Sequence, residues 1–151
     1  MENYICINGN KTELTEEQLR QLGIESPNKF SRIRERKFYL VSGDGYVYDR
    51  IENGGASHGA YFKAANYCTD KAMMEQRAMF ETLNRRLWRY SEQNGGQGAY
   101  TIYRTKCNGS FKTIINSLKT LEPKFCSEIV AQRAIKEIVE PFMKEHPDFV
   151  W

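Results

Sequence analysis

Two short turn sequences each stand between runs of aromatic and β-branched residues. The first is Gly43-Asp44-Gly45, within "KFYLVSGDGYVYDRI", and the second is Asn108-Gly109, within "AYTIYRTKCNGSFKTII". Asp-Gly and Asn-Gly readily adopt the positive φ angles that tight hairpin turns require. The sequence therefore predicts two β-hairpins, which we expect to form one antiparallel sheet.

A long helix is predicted between the two hairpins. Thr69 is its predicted N-cap, and Asp70 follows where an acid suits the helix dipole. The helix should run to about Gln93 and stop at Gly95-Gly96, because glycine commonly ends helices. Apolar residues at helical spacing define its predicted buried face: Met79, Phe80, Leu83, Leu87 and Tyr90.

The last helix is predicted to begin at Ser127, an N-cap residue type. Its apolar stripe is predicted from Ile129, Val130, Ala134, Ile135 and Ile138, with Pro141 near its end. The aromatic tail at 149–151 is expected to fold back onto the core, although an apolar tail and first strand also leave self-association open.

The first part of the chain carries weaker signals. The run "YICING" from Tyr4 to Gly9 predicts a short strand, and Thr15 with Gln18 forms a capping box for a short helix that ends at Gly23. A linker through Pro27 follows. The glycine-rich run "ENGGASHGAYFKAANY" is predicted to be a loop that leads into a short extended piece.

Two stretches echo each other: "CTDKAMMEQRA", from Cys68, and "CSEIVAQRA", from Cys126. An internal duplication explains the echo, and so does independent use of the same capping rules. In both cases the predicted fold class is α+β, with two main helices packed on an antiparallel sheet. We expect a single domain over 1–151, with a strand and short helix in 1–28 and hairpin-helix units at 37–94 and 99–143.

Charge is distributed unevenly along the chain, although the net charge is only +3. Residues 1–28 carry two bases against five acids, residues 29–37 carry five bases against one acid, and residues 127–151 carry three bases against five acids. Basic clusters suit phosphate or carboxylate partners. The predicted binding residues are Lys29, Arg32, Arg34, Arg36, Lys37, Arg85, Arg86, Arg89, Arg104 and Lys106.

A helical explanation of part of this charge stays open. Cations suit the C-terminal end of a helix, and Glu81 stands four residues before Arg85, where it can pair with it. Exposed tyrosines on the hairpins could stack on bases, but alternating aromatic residues in a sheet are commonly half core. No helix-turn-helix, zinc-finger or RNA-recognition motif is present.

Catalysis needs a convergent set of groups, and the sequence offers few. His58, in the glycine-rich run, is the one candidate general base, but no partner for it can be named. His146 is expected to cap or pack. The four cysteines stand far apart, so we expect reduced thiols and neither a metal site nor a cofactor.

The chain resembles small uncharacterised proteins carried by phages and prophages of Firmicutes. The resemblance rests on "ING…ELTEEQLRQLGI", on "YFKAANYCTDKAMMEQRAMFETLNRRLWRYSEQNGG" and on "QRAIKEIVEPFMKEHPDFVW". Some proteins of this sort are anti-CRISPR or other anti-defence proteins that bind a host nuclease complex. Because bases outnumber acids here, mimicry of DNA is not expected.

The resemblance implies a phage-derived protein that inhibits a bacterial defence system, with CRISPR-Cas9 as the expected effector. Its expected partner is the effector or its guide RNA complex, bound stoichiometrically so that nucleic-acid loading or cleavage is obstructed. The alternative is a regulatory protein that binds DNA or RNA through the basic clusters. No apolar run approaches the ~20 residues that span a bilayer, so we expect the cytoplasm of the host cell.

Overall fold

The structure is a computed structural model that describes residues 4–7, 10–15, 18, 21–22, 28–107, 109–116 and 122–151. Its strands are β1 (Tyr4–Ile7), β2 (Asn10–Glu13), β3 (Lys37–Val41), β4 (Val47–Ile51), β5 (Tyr100–Arg104) and β6 (Phe111–Ile115). Its helices are α1 (Ala56–Lys63), α2 (Lys71–Gln93), α3 (Glu128–Ala134) and α4 (Glu140–Glu145). A π-helical turn, Ile135–Val139, joins α3 to α4.

The predicted α+β class is confirmed, but the expectation of one antiparallel sheet is wrong. Within the described residues, β1 pairs only with β2, β3 with β4, and β5 with β6. On the side of β3 away from β4, Tyr39 forms an isolated antiparallel β-bridge with Cys68. On the side of β5 away from β6, Tyr100 forms the same kind of bridge with Phe125. Each hairpin is therefore extended by its own downstream segment, and the hairpins do not pair with each other.

Both predicted hairpins are confirmed. Gly45 has φ +88° in the first turn and Gly109 has φ +68° in the second, as the turn chemistry requires. Asn108 lies outside the described residues. The predicted first strand is confirmed as β1, and it continues into a hairpin with β2 that was not predicted.

The predicted capping box is confirmed by two reciprocal hydrogen bonds. The Thr15 N–H donates to Gln18 Oε1 at 2.9 Å, and the Gln18 N–H donates to Thr15 Oγ1 at 3.3 Å. The predicted helix end at Gly23 and the linker through Pro27 lie outside the described residues.

The N-cap of α2 is Asp70, not the predicted Thr69. Asp70 Oδ1 accepts a hydrogen bond from the Met73 N–H at 3.1 Å. The Thr69 hydroxyl donates instead to the Lys29 carbonyl at 3.1 Å, which fastens the preceding turn to the start of the helix. The predicted helix end at Gln93 is confirmed.

The buried face of α2 was predicted only in part. Leu83 and Leu87 are buried as expected, but Phe80 is 47 % exposed. The reason is that α2 packs against two different units: Met74 and Ala78 pack near the first hairpin, while Leu83 and Leu87 pack near the second. A single helical stripe does not describe such a helix.

The predicted start of the last helix is confirmed, because Ser127 Oγ accepts a hydrogen bond from the Val130 N–H at 3.3 Å. The predicted stripe is partly wrong, since Ile129 is 64 % exposed. Ala134 and Ile135 are buried as predicted, and the other buried residues of this helical segment are Ala131, Val139 and Phe142. The π-helical turn changes the spacing, so the later buried positions drift away from the predicted stripe.

The predicted loop at 52–67 contains a helix, α1. Glycine lowers helix propensity, which is why the sequence favoured a loop, but packing overrides that preference here. His58 is the buried residue of α1, and its ring meets the Phe38 ring edge-on at a centroid distance of 5.0 Å. The extended piece predicted after this run is confirmed at Cys68.

The tail folds back onto the core, as predicted. Phe149 is buried against Phe142, and the Trp151 ring lies 5.1 Å from the Phe111 ring. Gln76 holds this tail from α2: its amide donates to the Asp148 carbonyl at 2.6 Å and accepts from the Val150 N–H at 2.8 Å.

The hairpin-helix units at 37–94 and 99–143 share one local arrangement. In each unit a bridging residue lies beside the first strand, and the helix N-cap follows two residues later. Cys68 precedes the cap Asp70 in this way, and Phe125 precedes the cap Ser127. In the structure, Cys68 of the first unit is therefore equivalent to Phe125 of the second unit. The sequence echo instead aligns Cys68 with Cys126, one residue further along.

Candidate binding surface

A groove of about 380 Å³ lies between α2 and the second hairpin. We call it the α2–β5 groove. The side of α2 contributes Phe80, Asn84 and Leu87, and the far wall contains Pro123 and Phe125. The remaining lining residues are Thr101, Ile102, Tyr103, Ile114, Asn116, Glu122 and Trp151.

Large apolar side chains remain exposed along this groove. Tyr103 is 38 % exposed and Ile114 is 50 % exposed, and both lie on the face of the second hairpin that borders Phe80. Trp88, 55 % exposed, stands one helical turn beyond Asn84 on the same side of α2. Exposed aromatic residues gathered around an apolar groove are typical of binding surfaces.

The walls of the groove rest on well-packed elements. Leu87 and Phe125 belong to the main core, and each is 2 % exposed or less. Gly98 lets the chain pass close to the wall, because a Cβ at that position would lie 2.3 Å from the Phe125 carbonyl oxygen. The buried Ser91 hydroxyl donates to the Lys124 carbonyl and so holds the same segment to α2.

The predicted basic residues at 29–37 are mostly paired within the chain. Lys29 pairs with Asp70 at 3.4 Å, and Lys37 pairs with Asp49 at 2.9 Å. Arg32 makes two hydrogen bonds to the buried Glu52. The side chains of Arg34 and Arg36 form neither ion pairs nor hydrogen bonds with the described residues. Arg34 lines a shallow depression beside Glu52, Asn53 and Gly54.

Arg85 and Arg86, two of the predicted arginines of α2, reach different partners. Arg85 donates to the Gly43 carbonyl at 2.6 Å, so it holds the first hairpin turn. Arg86 lies 3.3 Å from the Glu145 carboxylate and covers the Phe142 ring. Arg89 is exposed and has no ionic partner in the described part of the chain.

The suggested ion pair between the Glu81 and Arg85 side chains is wrong, although the Arg85 Nε–H donates to the Glu81 backbone carbonyl at 3.3 Å. Glu81 pairs with Arg77 at 2.7 Å, since the Arg85 guanidinium reaches the first hairpin instead. At the second hairpin, Arg104 folds onto the Gly109 carbonyl at 3.1 Å and lies over the Phe111 ring. Lys106 is exposed in the turn after β5.

These basic clusters do not form one continuous patch. Lys29 lies beside the N-cap of α2, and Arg85 lies fifteen residues further along the same helix, which places them roughly 22 Å apart along its axis. Lys37 likewise begins β3 at the end opposite the Gly43 turn that Arg85 contacts. The predicted binding residues therefore sit on several separate surfaces.

His58, the candidate general base, lies in a buried polar cluster under the first hairpin. Its Nδ1 accepts a hydrogen bond from the Asn53 N–H at 3.3 Å and lies 3.4 Å from Glu52 Oε1. Glu52 also accepts from the Gly54 N–H at 2.7 Å. The residues in contact with His58 thus tie the segment after β4 to the hairpin.

The electrostatics of this cluster centre on Glu52. Hydrogen bonds from Arg32 lower the pKa of Glu52 to about 2, with the Gly54 N–H acting in the same direction. Burial raises the pKa of the neighbouring Tyr67 phenol. The Tyr67 hydroxyl is buried and has no hydrogen bond of ordinary geometry to any described residue. Glu52 therefore stays ionised at neutral pH and holds Arg32 by two hydrogen bonds, which suits a structural role.

The remaining histidine and the thiols are dispersed. His146 contacts the Phe142 ring at a centroid distance of 4.4 Å. Cys68 is buried, and Cys107 and Cys126 are exposed and unpaired. In the described parts of the chain, no three His, Cys, Asp or Glu side chains come together in an arrangement that could hold a metal ion.

Sequence reasoning missed the α2–β5 groove because its residues come from five separate segments. Phe80 was assigned to the core by helical spacing, and Trp88 was not singled out. The available signal was the surplus of large apolar residues on α2, which exceeds what one buried stripe needs.

Within the described residues, no helix combines the length and the apolar character needed to cross a bilayer. Comparison of the chain with models of protein families, with curated proteins and with solved structures found no match.

Proposed function

We propose that this protein binds a macromolecular partner through the α2–β5 groove and acts by occupying that partner. The observation that carries the proposal is the exposure of Phe80, Tyr103 and Ile114 around one apolar groove. Tryptophan and tyrosine are enriched among the residues that contribute most binding energy at protein interfaces. The firm anchoring of both walls favours a preformed site.

The proposed partner is a bacterial defence effector of the CRISPR-Cas9 type, met in the cytoplasm of the host cell. This assignment rests on the resemblance to phage-borne proteins, and the groove supplies the surface. Binding would be stoichiometric, and it would obstruct nucleic-acid loading or cleavage. Four of the ten predicted cations are ion-paired inside the chain, and Arg85 and Arg104 donate to backbone carbonyls. Apolar contact is therefore the main proposed source of affinity.

The test is size-exclusion chromatography with light scattering on the protein mixed with guide-loaded Cas9. We expect an equimolar complex at moderate and at high salt, because apolar contacts are not screened by salt. Phe80→Ala should remove the complex while leaving the fold intact, since Phe80 lines the groove and is 47 % exposed.

A matched control is available in Ile129→Ala. Ile129 is an exposed apolar residue on α3 that does not line the groove. The complex should survive this substitution. Failure of the wild-type protein to co-elute at either salt would remove Cas9 as the partner, and equal loss in both variants would remove the groove as the site.

A second candidate function is binding of DNA or RNA. The specific observation in its favour is the cross-strand pair of Tyr103 and Lys112 on the open face of the second hairpin. An aromatic ring beside a cation suits stacking on a base next to a phosphate. Arg34 and Arg36, unpaired within the described residues, add positive charge elsewhere on the molecule.

Fluorescence anisotropy with unrelated DNA and RNA oligonucleotides tests this alternative. Phosphate contacts predict binding that weakens steeply as salt rises, and Lys112→Gln should reduce the salt slope by about one unit. Binding that does not depend on salt would contradict it.

A further inference from the structure

The strand β4 lies at the outer side of the first hairpin. Its neighbour β3 is covered on both faces, because Val41 packs in one cluster with α2 and Phe38 packs against α1. In β4, by contrast, four of the five residues are exposed. Tyr48 is 42 % exposed and Ile51 is 61 % exposed. The strand therefore projects beyond the helices that cover β3.

The backbone groups of β4 point alternately toward β3 and away from it. At the turn end of the hairpin, the Ser42 N–H donates to the Tyr46 carbonyl at 2.9 Å. At the other end, the Glu52 N–H donates to the Arg36 carbonyl at 2.9 Å. Hydrogen-bonding direction alternates along a strand, so every second residue between Tyr46 and Glu52 points its backbone groups outward. These outward residues are Val47, Asp49 and Ile51.

The outward backbone groups form an open edge. Among the described residues, they accept one hydrogen bond, from Arg50 Nη1 to the Asp49 carbonyl at 3.3 Å. The Arg50 side chain is exposed, so it can leave this carbonyl. No backbone group in the described parts of the chain pairs with this side of β4. An exposed edge of unpaired N–H and C=O groups is a template for pairing with another strand.

The charges of β4 limit how two copies of this edge can pair. A two-fold axis between antiparallel strands puts one residue opposite itself, and the centres that keep most of β4 paired are Tyr48, Asp49 and Arg50. Pairing centred on Asp49 or on Arg50 sets like charges opposite each other, which destabilises a sheet. Pairing centred on Tyr48 sets two aromatic rings side by side and places Tyr46 opposite an arginine. The strand therefore has one self-complementary register.

We infer that β4 pairs with β4 of a second copy of this chain, antiparallel and centred on Tyr48. The backbone groups of Val47 pair with those of Asp49 in the second copy, and the two Tyr48 rings lie beside each other. Two hairpins then form one four-stranded sheet. Both copies use the same edge, so the assembly stops at a dimer. Because the edge is short, monomer and dimer exchange as the protein concentration changes.

Sedimentation velocity on the full chain, over protein concentrations that extend to the millimolar range, tests the inference. We expect the mass of the wild-type protein to rise from that of a monomer toward that of a dimer and no further. A monomer at every concentration overturns the inference. Growth beyond a dimer also overturns it, because the edge is used up when two copies pair.

The register is tested by Tyr48→Lys and Tyr48→Glu. Each variant alone sets like charges opposite each other, so neither should form the dimer. An equimolar mixture should form a heterodimer, because a lysine then faces a glutamate, and this recovery separates lost pairing from lost folding. Ile129→Lys, at an exposed apolar residue on α3, is the matched control and should dimerise as the wild type does. A dimer of either Tyr48 variant alone would overturn the inference.

The backbone pairing is tested by comparing Asp49→Pro with Asp49→Ala. Both remove the ion pair with Lys37, but only proline removes the outward N–H, and proline is tolerated at strand edges where that group faces outward. Asp49→Pro should raise the dissociation constant of the dimer about tenfold or more above that of Asp49→Ala, because each copy loses a backbone hydrogen bond. Equal constants would contradict pairing through this edge. If Asp49→Pro fails to fold, the two Tyr48 variants still decide the question.

This inference and the proposed function can fail separately, because none of the residues that line the α2–β5 groove belongs to 45–51. If the chain stays monomeric and Cas9 still binds, the proposed function stands and the self-pairing is wrong. Slower hydrogen exchange of the Asp49 amide only in the Cas9 complex would then assign the edge to a strand of that partner. If the dimer forms and Cas9 does not bind, the self-pairing stands and the partner is wrong.

Discussion

Glu52 is the residue on which the buried polar cluster depends. Its side chain is 2 % exposed, and it accepts hydrogen bonds from Arg32 and from the Gly54 N–H while lying next to His58. A buried carboxylate needs such partners, because desolvation penalises its charge. The cluster joins the segment before β3 to the segment after β4, so it fixes the base of the first hairpin.

We predict that Glu52→Gln lowers the free energy of unfolding by about 3 kcal/mol, because it leaves the Arg32 guanidinium without its charged partner. Urea denaturation at neutral pH measures this. Asp49→Asn is the matched control, since it breaks the exposed Lys37–Asp49 pair, and it should cost far less stability than Glu52→Gln. A loss no larger than the control's would contradict the account.

The same residue predicts a pH dependence. The pKa of Glu52 is lower in the folded protein, about 2, than its usual value of 4.5. Its stabilising effect is therefore fully present above about pH 4.5 and is lost as the pH falls toward 2. The wild-type protein should lose stability in that window more steeply than Glu52→Gln, and urea midpoints measured across the window test this. Parallel curves would argue against it.

At the scale of elements, most capping and turn residues were predicted correctly because they act locally. The exception is the N-cap of α2, which is Asp70 and not the predicted Thr69. The hairpins, the capping box at Thr15 and the Ser127 cap all depend on side chains within a few residues of the backbone groups that they satisfy. Features that depend on distant segments were not predicted. Helix α1 is stabilised by contact of His58 with Phe38, and Phe80 is exposed because α2 meets two units.

Gln76, in the first Gln-Arg-Ala sequence, has a structural role: it holds the C-terminal tail against α2. Its side chain contacts the backbone of the tail at Asp148 and Val150. Gln76→Ala should cost about 1 kcal/mol of stability and speed hydrogen exchange at the Val150 amide. Gln132→Ala, in the second motif, removes only a bond to the exposed Glu128 side chain and should leave that amide unchanged. Equal exchange in both variants would contradict this role.

Gly98 fixes the approach of the second hairpin to the wall of the groove. An added Cβ would lie 2.3 Å from the Phe125 carbonyl oxygen and 2.5 Å from the Cys126 Cα, both backbone atoms that cannot move alone. Gly98→Ala should therefore lower stability by about 3 kcal/mol, measured by urea denaturation. Gly43→Ala is the control, since no atom lies within 4 Å of its added Cβ. A tolerated Gly98→Ala would refute the close approach.

At the scale of the whole molecule, residues 37–143 contain two hairpin-helix units, and α2 packs against both hairpins. In the first unit, the outer edge of β3 is closed by Asn66, and α1 covers Phe38. In the second unit, the hairpin borders the α2–β5 groove. The fold class followed from the order of hairpins and helices, but this difference between the units appears only when distant segments are brought together.

The central claim is the proposal that the protein inhibits a Cas9-type effector through the groove, and a cleavage assay tests it most directly. Guide-loaded Cas9 would be titrated with the wild-type protein, with Phe80→Ala and with Ile129→Ala, and cleavage of target DNA would be measured. The account predicts complete inhibition at an equimolar ratio by the wild type and by Ile129→Ala, and none by Phe80→Ala. Undiminished cleavage at excess wild-type protein, or equal inhibition by Phe80→Ala, would contradict it.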